Sequence, residues 1–395
     1  MTFPIEAINA QLARLSRHPW HGGRLPGRVE GAEDFAARVP TMTKGELQAE
    51  MFRPGHGGFA PHVPPVRVNM TPTSDGLMPV MQSAADLDAM TRAARAHLDA
   101  CGLGPGETCL VTFGYHLFVA GLFYQSVMEA HGIACIPHGP GEAERAVATA
   151  KATGATILAG APSFALKLLD MGLPPPRVLF AGAEPFTGDP ALYARVRAAL
   201  PDTLLIDAYS LSEALPVGRT FPGGRGVHVF DELVWPEVLD PETGAPLPDG
   251  ERGELVLTHL KKELQPLVRY RTGDLAVLER TAPIHGRTLC LPKVVFGRTD
   301  GMVKVKGVKF FPSEVRGMLL GLEGATRNYR VRIGRKPGGG DRLALTVEGA
   351  LDADAEAELA RRFKAQTLIE ADAIEIVPEL EDGPLMTDAR DRHGE

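Results

Sequence analysis

The chain has 395 residues, 44% apolar and 23% charged, a composition that supports a sizeable globular core and excludes wholesale disorder. A formal net charge of −7 leaves no excess of cations to neutralise phosphates, so neither nucleic acid nor an anionic membrane is an expected partner. Cys101, Cys109, Cys135 and Cys290 show no C-x-x-C spacing and read as reduced thiols, not as a disulfide framework or a zinc site.

The N-terminal segment MTFPIEAINAQLARLSRHPW has no basic start followed by an apolar run, so no secretory leader is expected and the cytoplasm is the expected compartment. A helical start gives way to the irregular, Gly- and Pro-rich RPGHGGFAPHVPP. ADLDAMTRAARAHLDACG then has the apolar spacing of a helix stopped by Gly102. From Cys109 to Met128 there is no Asp, Glu, Lys or Arg. Its polar residues Thr112, His116, Gln125 and Ser126 point to a buried strand turning into a helix, not to a membrane span.

Short apolar runs alternate with helical segments from there on. CLVTF, IACIPH, ATILAGA, RVLFAGA and TLLIDAYS read as strands. GLFYQSVMEAHG, ERAVATAKATG, FALKLLDMG and ALYARVRAALP read as the helices between and after them. This alternation predicts right-handed βαβ crossovers and a parallel sheet. After Glu213 the texture changes to antiparallel strands, in VHVFDELVWPEVLD, GERGELVLTHL and DLAVLE. A second α+β module follows from Gly297. The expected organisation is α/β: residues 1–296 as a large domain and 297–395 as a small mobile one, joined beside GRTDG.

Several strings resemble the adenylate-forming acyl- and aryl-CoA ligases. Tyr270-Arg271-Thr272-Gly273-Asp274-Leu275 resembles their ribose-binding motif. A carboxylate just after a strand, on a Gly turn, can accept both ribose hydroxyls; the competing reading is an ordinary strand-ending Asp. Gly297-Arg298-Thr299-Asp300 and the hairpin through Lys306-Gly307 are similar to the family's hinge and acceptor tunnel. The resemblance implies that Arg298 touches the ribose, Asp300 is the pivot, and Lys306 and Gly307 serve the transfer step. An ordinary basic hairpin is the alternative.

Asp207-Ala208-Tyr209-Ser210-Leu211-Ser212-Glu213 is similar to the family's Y-G-L-S-E string. The likeness implies that Tyr209 stacks on adenine and that Glu213 holds magnesium against the α-phosphate; Ser210 stands in place of the usual Gly. One carboxylate suffices for magnesium, which keeps several waters. Gly182-Ala183-Glu184-Pro185 matches the family's G-A-E-P, at a strand tip where open parallel sheets bind ligands. Phe113, Tyr115, His116 and Ser163 fall in segments similar to those flanking the acid pocket, with Phe118 and Phe164 open to a core-packing reading. WPEVLDPETGAPLPDGERGELVLTHL narrows the likeness to the phenylacetate–coenzyme A ligase branch.

Two departures weaken the resemblance. Thr71-Pro72-Thr73-Ser74-Asp75-Gly76-Leu77-Met78 stands where the family has a Ser/Thr/Gly phosphate loop ending in Lys. Pro72 removes an N–H, Asp75 adds a negative charge, and Leu77 replaces the cation. The segment Glu381–Arg390 carries no lysine where the family places one that bridges carboxylate and α-phosphate, a donor worth about 3–4 kcal/mol. Arg390 and Arg392 are the nearby cations, but a guanidinium fork does not reproduce an ammonium.

The resemblance therefore implies ATP- and magnesium-dependent activation of a small, aromatic carboxylic acid, followed by transfer to coenzyme A or another nucleophile. The second reading is a relative that binds AMP or an acyl-adenylate and has lost adenylation. Expected partners are the nucleotide and the acid; a homodimer stays open.

Overall fold

The computed structural model describes residues 3–73, 76–184, 186–299, 303–305, 308–336, 341–367 and 369–390. Pro185, Asp300, Lys306 and Gly307 lie outside these described residues, as do Ser74, Asp75 and Arg392. Contacts divide the chain into two compact units. The first comprises Met1–Thr187, Arg195–Thr272 and Ala276–Val294; the second comprises Gly188–Ala194, Gly273–Leu275 and Val295–Glu395.

The first unit begins with helices α1 (Ile5–Leu15), α2 (Ala32–Arg38) and α3 (Lys44–Met51). Thr43 opens α3 with a capping box, its hydroxyl accepting from the Glu46 N–H while Glu46 reaches back to the Thr43 N–H. A hairpin of β1 (Arg67–Thr73) and β2 (Gly76–Gln82) follows, then α4 (Ala84–Ala100), capped in the same way by Ser83 and Asp86.

Next come β3 (Thr108–Val111), α5 (Ala120–Ala130), β4 (Ala134–Pro137), α6 (Ala143–Thr153), β5 (Ile157–Gly160), α7 (Pro162–Asp170), β6 (Val178–Ala181), α8 (Pro190–Ala199, its first half counted with the second unit) and β7 (Leu204–Ile206). The five strands form one parallel sheet in the order β4-β3-β5-β6-β7. β5 and β6 are buried along their whole length, as expected of strands covered on both faces. The charge-free stretch from Cys109 resolves into β3 and α5, and no described helix is long and apolar enough to cross a membrane. The chain steps from β3 to β4 on one side and to β5 on the other. The order reverses at β3 and β5, and their carboxyl ends mark the crevice where open sheets take ligands.

TLLIDAYS is not one strand. β7 ends at Ile206, and β8 (Ala208–Tyr209) joins a second sheet of order β14-β15-β10-β9-β8. Its other members are β9 (Gly218–Arg219), β10 (Val227–Val229), β14 (Glu279–Ile284) and β15 (Arg287–Leu291). Asp207 sits at the break. Its carboxylate accepts from the Ala208 N–H at 2.8 Å and from Thr187 N–H and Oγ1 at 2.9 and 2.6 Å. These local bonds replace the ladder at that residue. β11 (Val234–Leu239), β12 (Arg252–His259) and β13 (Tyr270–Val277) form the antiparallel region read from the sequence.

In the second unit, β16 (Gly297–Arg298) pairs with Asp274 and Leu275, and β17 (Val303–Val305) pairs with β18 (Val308–Phe310). A short helix α9 (Val315–Met318) precedes a sheet of order β21-β20-β19-β22. It contains β19 (Ala325–Arg335), β20 (Asp341–Gly349), β21 (Ala373–Val377) and β22 (Met386–Asp388), with α10 (Ala353–Thr367) between β20 and β21. Phe310, Tyr329, Ile333, Leu345 and Phe363 centre its own core, as an independently folded module requires.

Candidate active site

Parallel strands end abruptly because the next residues must turn away toward a helix, and that is where the first unit gathers its polar groups. After β6, Gly182, Ala183 and Glu184 form a turn in which Ala183 adopts a left-handed φ of 67°. A non-glycine residue there costs on the order of 1 kcal/mol or more and needs a surrounding clamp. Two contacts supply it. The Glu184 carboxylate accepts the Ser163 N–H at 2.6 Å at the start of α7, a favourable place for a negative charge. Asp207 holds Thr187 on the far side of the turn. Burial raises the Asp207 carboxyl above its ordinary value, although its Thr187 and Ala208 hydrogen bonds oppose that shift.

Beyond the break at Asp207, Ala208, Tyr209, Ser210 and Ser212 line a cavity of about 180 Å³ with Phe118, Val119, Ala120, Phe123, Tyr124 and Arg219. Tyr209 is buried and Ser210 is exposed. The opening loop is braced by the hairpin, since Asn69 Nδ2 donates to Leu117 and Phe118 carbonyls at 3.2 and 2.9 Å and the Met70 N–H donates to Leu117 at 2.7 Å.

The acid-pocket residues named from the sequence do not line this cavity. Phe113 is buried and stacks on Tyr124 with centroids 5.0 Å apart. The Tyr115 phenol is raised above its ordinary value, mainly by burial and then by the neighbouring Cys135. His116 and Ser163 are exposed. Phe118 is 44% exposed at the cavity mouth, so core packing does not describe it. The residues that sequence reasoning missed are Phe123, Tyr124 and Arg219. The first two lie on the α5 face, where periodicity cannot separate a cavity wall from a core wall.

Glu213 lies in the turn after the Tyr209 string and is buried. Its Oε1 accepts from the Tyr270 hydroxyl at 2.7 Å, and its main-chain carbonyl accepts from Lys262 Nζ at 3.0 Å. Burial lowers the Lys262 ammonium to about 8, with Asp86 and Glu213 pulling the other way. Asp86 in turn accepts the Glu263 N–H at 2.7 Å, so α4 and the segment after β12 fix the base of Glu213. A buried carboxylate with one oxygen oriented by a phenol suits a cation that takes one protein ligand and completes its shell with water and phosphate. No cluster of three or more acidic, His or Cys groups able to hold a metal occurs among the described residues; this donor set fits magnesium and not a dedicated metal cage.

Asp274 requires a correction. It stands inside β13, not after a strand, because β16 continues the ladder past it, pairing Asp274 with Arg298. Gly273 accommodates the local distortion with a φ of 75°, which Gly adopts readily. The Asp274 carboxylate is buried and accepts from Arg298 Nη1 at 2.7 Å, so the two proposed ribose contacts form one ion pair in the second unit.

The segment expected to be a phosphate loop is the β1–β2 hairpin. Thr71 pairs with Met78, Pro72 with Leu77 and Thr73 with Gly76, so two residues connect the strands. Thr73 Oγ1 donates to the Gly76 carbonyl at 2.8 Å. Every second residue of such a ladder turns its N–H and C=O to the partner strand, and Pro72 has no N–H to offer a phosphate. In the second unit, Arg390 is committed to Asp388 at 2.6 Å and to Asp341 at 3.4 Å.

This arrangement has the fold of the acid–CoA ligases that form acyl-adenylates. A 2-hydroxyisobutyryl-CoA ligase, solved in an open conformation in complex with 2-HIB-AMP and CoA, superposes over 97% of this chain and 90% of its own, with a TM-score of 0.80 at 24% identity. The AMP-binding enzyme family model matches residues 79–259. The phenylacetate–coenzyme A ligase of Thermus thermophilus is 31% identical over 339 residues, 82% of this chain and 74% of that enzyme. That of Aromatoleum evansii is 30% identical over the same shares. The chain belongs to the phenylacetate–coenzyme A ligase family of adenylate-forming enzymes.

Proposed function

We propose that the chain activates a small, ring-bearing carboxylic acid as its acyl-adenylate and passes the acyl group to coenzyme A. In the first step a carboxylate oxygen attacks the α-phosphorus of ATP; the new P–O bond forms as the bond to the bridging oxygen breaks and pyrophosphate leaves. In the second step the thiol sulfur, losing its proton, attacks the acyl carbon and AMP departs. The observation that carries the reading is the cavity bordered by Tyr209, Ser210 and Ser212, one turn from Glu213, in a chain of this family.

In this reading Tyr209 meets adenine, with Gly182, Ala183, Glu184, Pro185, Asp207, Ala208 and Ser210 framing the nucleotide. Asp274 and Arg298 hold the ribose, the acid takes the cavity on the side of Phe123 and Tyr124, and Phe113, Tyr115, His116 and Ser163 are its further proposed neighbours. Glu213 would ligate magnesium, which supplies charge neutralisation for the phosphates. Asp300 is the proposed pivot between half-reactions, and Lys306 and Gly307 the proposed acceptor channel.

The absence of a lysine from residues 71–78, with Thr73 paired to Gly76, favours a second reading: a protein that binds AMP or a preformed adenylate and catalyses transfer alone. Thermal shifts with AMP, ATP with magnesium, coenzyme A and an acid panel separate these. A ligand at a hundred times its dissociation constant stabilises by about 2.7 kcal/mol. Shifts with AMP and an acid, absent with unrelated nucleotides, support the proposal; no shift with any adenine nucleotide defeats both readings.

A further inference from the structure

Arg219 is among the residues that line the cavity. It is 2% exposed, and none of the described carboxylates forms an ion pair with it. Its Nη1 is buried and makes no hydrogen bond. Three aromatic rings surround it, with Tyr124, Phe180 and Phe123 centroids 4.8, 5.3 and 5.7 Å from Cζ. Cation–π attraction offsets part of the desolvation of a buried cation. It does not satisfy the directional N–H groups, which the fork geometry of Arg presents to a planar anion.

The backbone holds Arg219 firmly in place. It sits on β9 opposite Ala208 and one residue after Gly218, where a Cβ would come within 2.5 Å of the His228 carbonyl. The nearby Asp207 carboxylate is already engaged by Thr187 and the Ala208 N–H. His97 is held neutral, mainly by burial and then by Arg219 itself.

Resting on the reading of this cavity as the acyl site, we infer that the acid accepted here is a small dicarboxylic acid, one carboxylate of which pairs with Arg219 while the other reacts. The cavity's size sets the scale. An apolar cavity of about 150 Å³ takes up benzene, so about 180 Å³ holds a single six-membered ring with a short substituent. Phe123 and Tyr124 flank the ring, and the second carboxylate replaces the water lost by the buried guanidinium. Only one carboxylate is consumed; the other leaves with the product unchanged.

The test is the affinity, by calorimetry with saturating AMP, of benzoate and phenylacetate against isophthalate, homophthalate and their half-methyl esters. The wild-type chain prefers the diacid by tenfold or more. Arg219→Met, which keeps an apolar stem among the aromatic rings, lowers the diacid-to-monoacid ratio by roughly 10- to 150-fold, the range for a hydrogen-bonded charge. Arg219→Lys retains part of the preference. Equal wild-type affinity for diacid and half-ester overturns the inference, as does binding of none of the acids. A loss in Arg219→Met shared equally by both acid classes also overturns it, because Arg219 would then serve the reacting carboxylate or the core. If Arg219→Met does not fold, the wild-type comparison of diacid with half-ester decides alone. Pyrophosphate release is read separately. Release without diacid preference defeats this inference and leaves the ligase reading standing; diacid preference without release leaves the Arg219 pairing standing and defeats adenylation by this chain.

Discussion

Tyr270→Phe removes one oxygen atom and tests how Glu213 is held. Tyr270 is fully buried, Glu213 is 8% exposed, and the phenol donates to Oε1 at 2.7 Å. A hydrogen bond to a charged acceptor contributes about 1.5–3 kcal/mol, and a carboxylate that loses its donor in a buried site pays much of that. At about 2–4 °C per kcal/mol for a domain of 150–250 residues, the melting temperature should fall by roughly 3–12 °C. The functional effect is more discriminating. Partners that orient a metal ligand typically cost 10–100-fold in metal affinity when removed, so the magnesium-dependent part of ATP affinity should drop by that factor. Metal-free AMP affinity should change little. Calorimetry of AMP and ATP, with and without magnesium, reads both. In a double-mutant cycle with Glu213→Gln the two changes should couple by about 1 kcal/mol or more, since the residues touch. A lower melting temperature with the magnesium dependence intact would refute the reasoning and leave Tyr270 a core residue.

Asp274→Ala should weaken AMP, ATP and adenylate analogues alike by roughly 10- to 150-fold, independently of metal. Its cost in stability should stay near or below about 1 kcal/mol, because Arg298 is 40% exposed; a loss of melting temperature without loss of AMP affinity would contradict it. AMP should bind at least as tightly as ATP, given the short hairpin at 71–78, and ATP tighter by tenfold in calorimetry would count against that reading. His97 and His259 are buried and held neutral, lowered from 6.5 to about 3, mainly by desolvation and secondarily by Arg219 and Lys262 respectively. Their contribution to stability is therefore complete above pH 6.5 and is lost as pH falls toward 3, by up to about 1.4 kcal/mol per pH unit for each. Melting curves from pH 7.5 to 5 should show this fall and a shallower one in His97→Gln; a flat profile would argue otherwise. Asp300→Pro, which locks one torsion, should suppress one half-reaction, and unchanged rates of both would remove Asp300 from the hinge.

The parallel sheet was legible because β5 and β6 are short apolar runs between helices of ordinary length, and Gly102 closes α4 where it was expected to. TLLIDAYS misled for a physical reason. Its apolar residues run past Asp207, but the carboxylate binds Thr187 twenty residues away and sends Tyr209 into another sheet. The Tyr270–Glu213 bond spans 57 positions, and no local pattern announces it. Asp274 read as a turn residue because Gly273 precedes it; only the return of β16 reveals the strand. Arg219 gave no signal at all, since an Arg after Gly in an unremarkable string reads as surface. What betrays it is burial among three rings, a tertiary property.

The central claim is acid activation, and the most direct measurement is product formation from ATP, magnesium, coenzyme A and the acid panel. Pyrophosphate and AMP are quantified, and the thioester is identified by mass spectrometry. Pyrophosphate, AMP and acyl-CoA should form in equal amounts with at least one small ring-bearing acid, and none should form when that acid is omitted. Conversion of a chemically prepared acyl-adenylate to thioester, with no pyrophosphate from ATP and any acid, would contradict it.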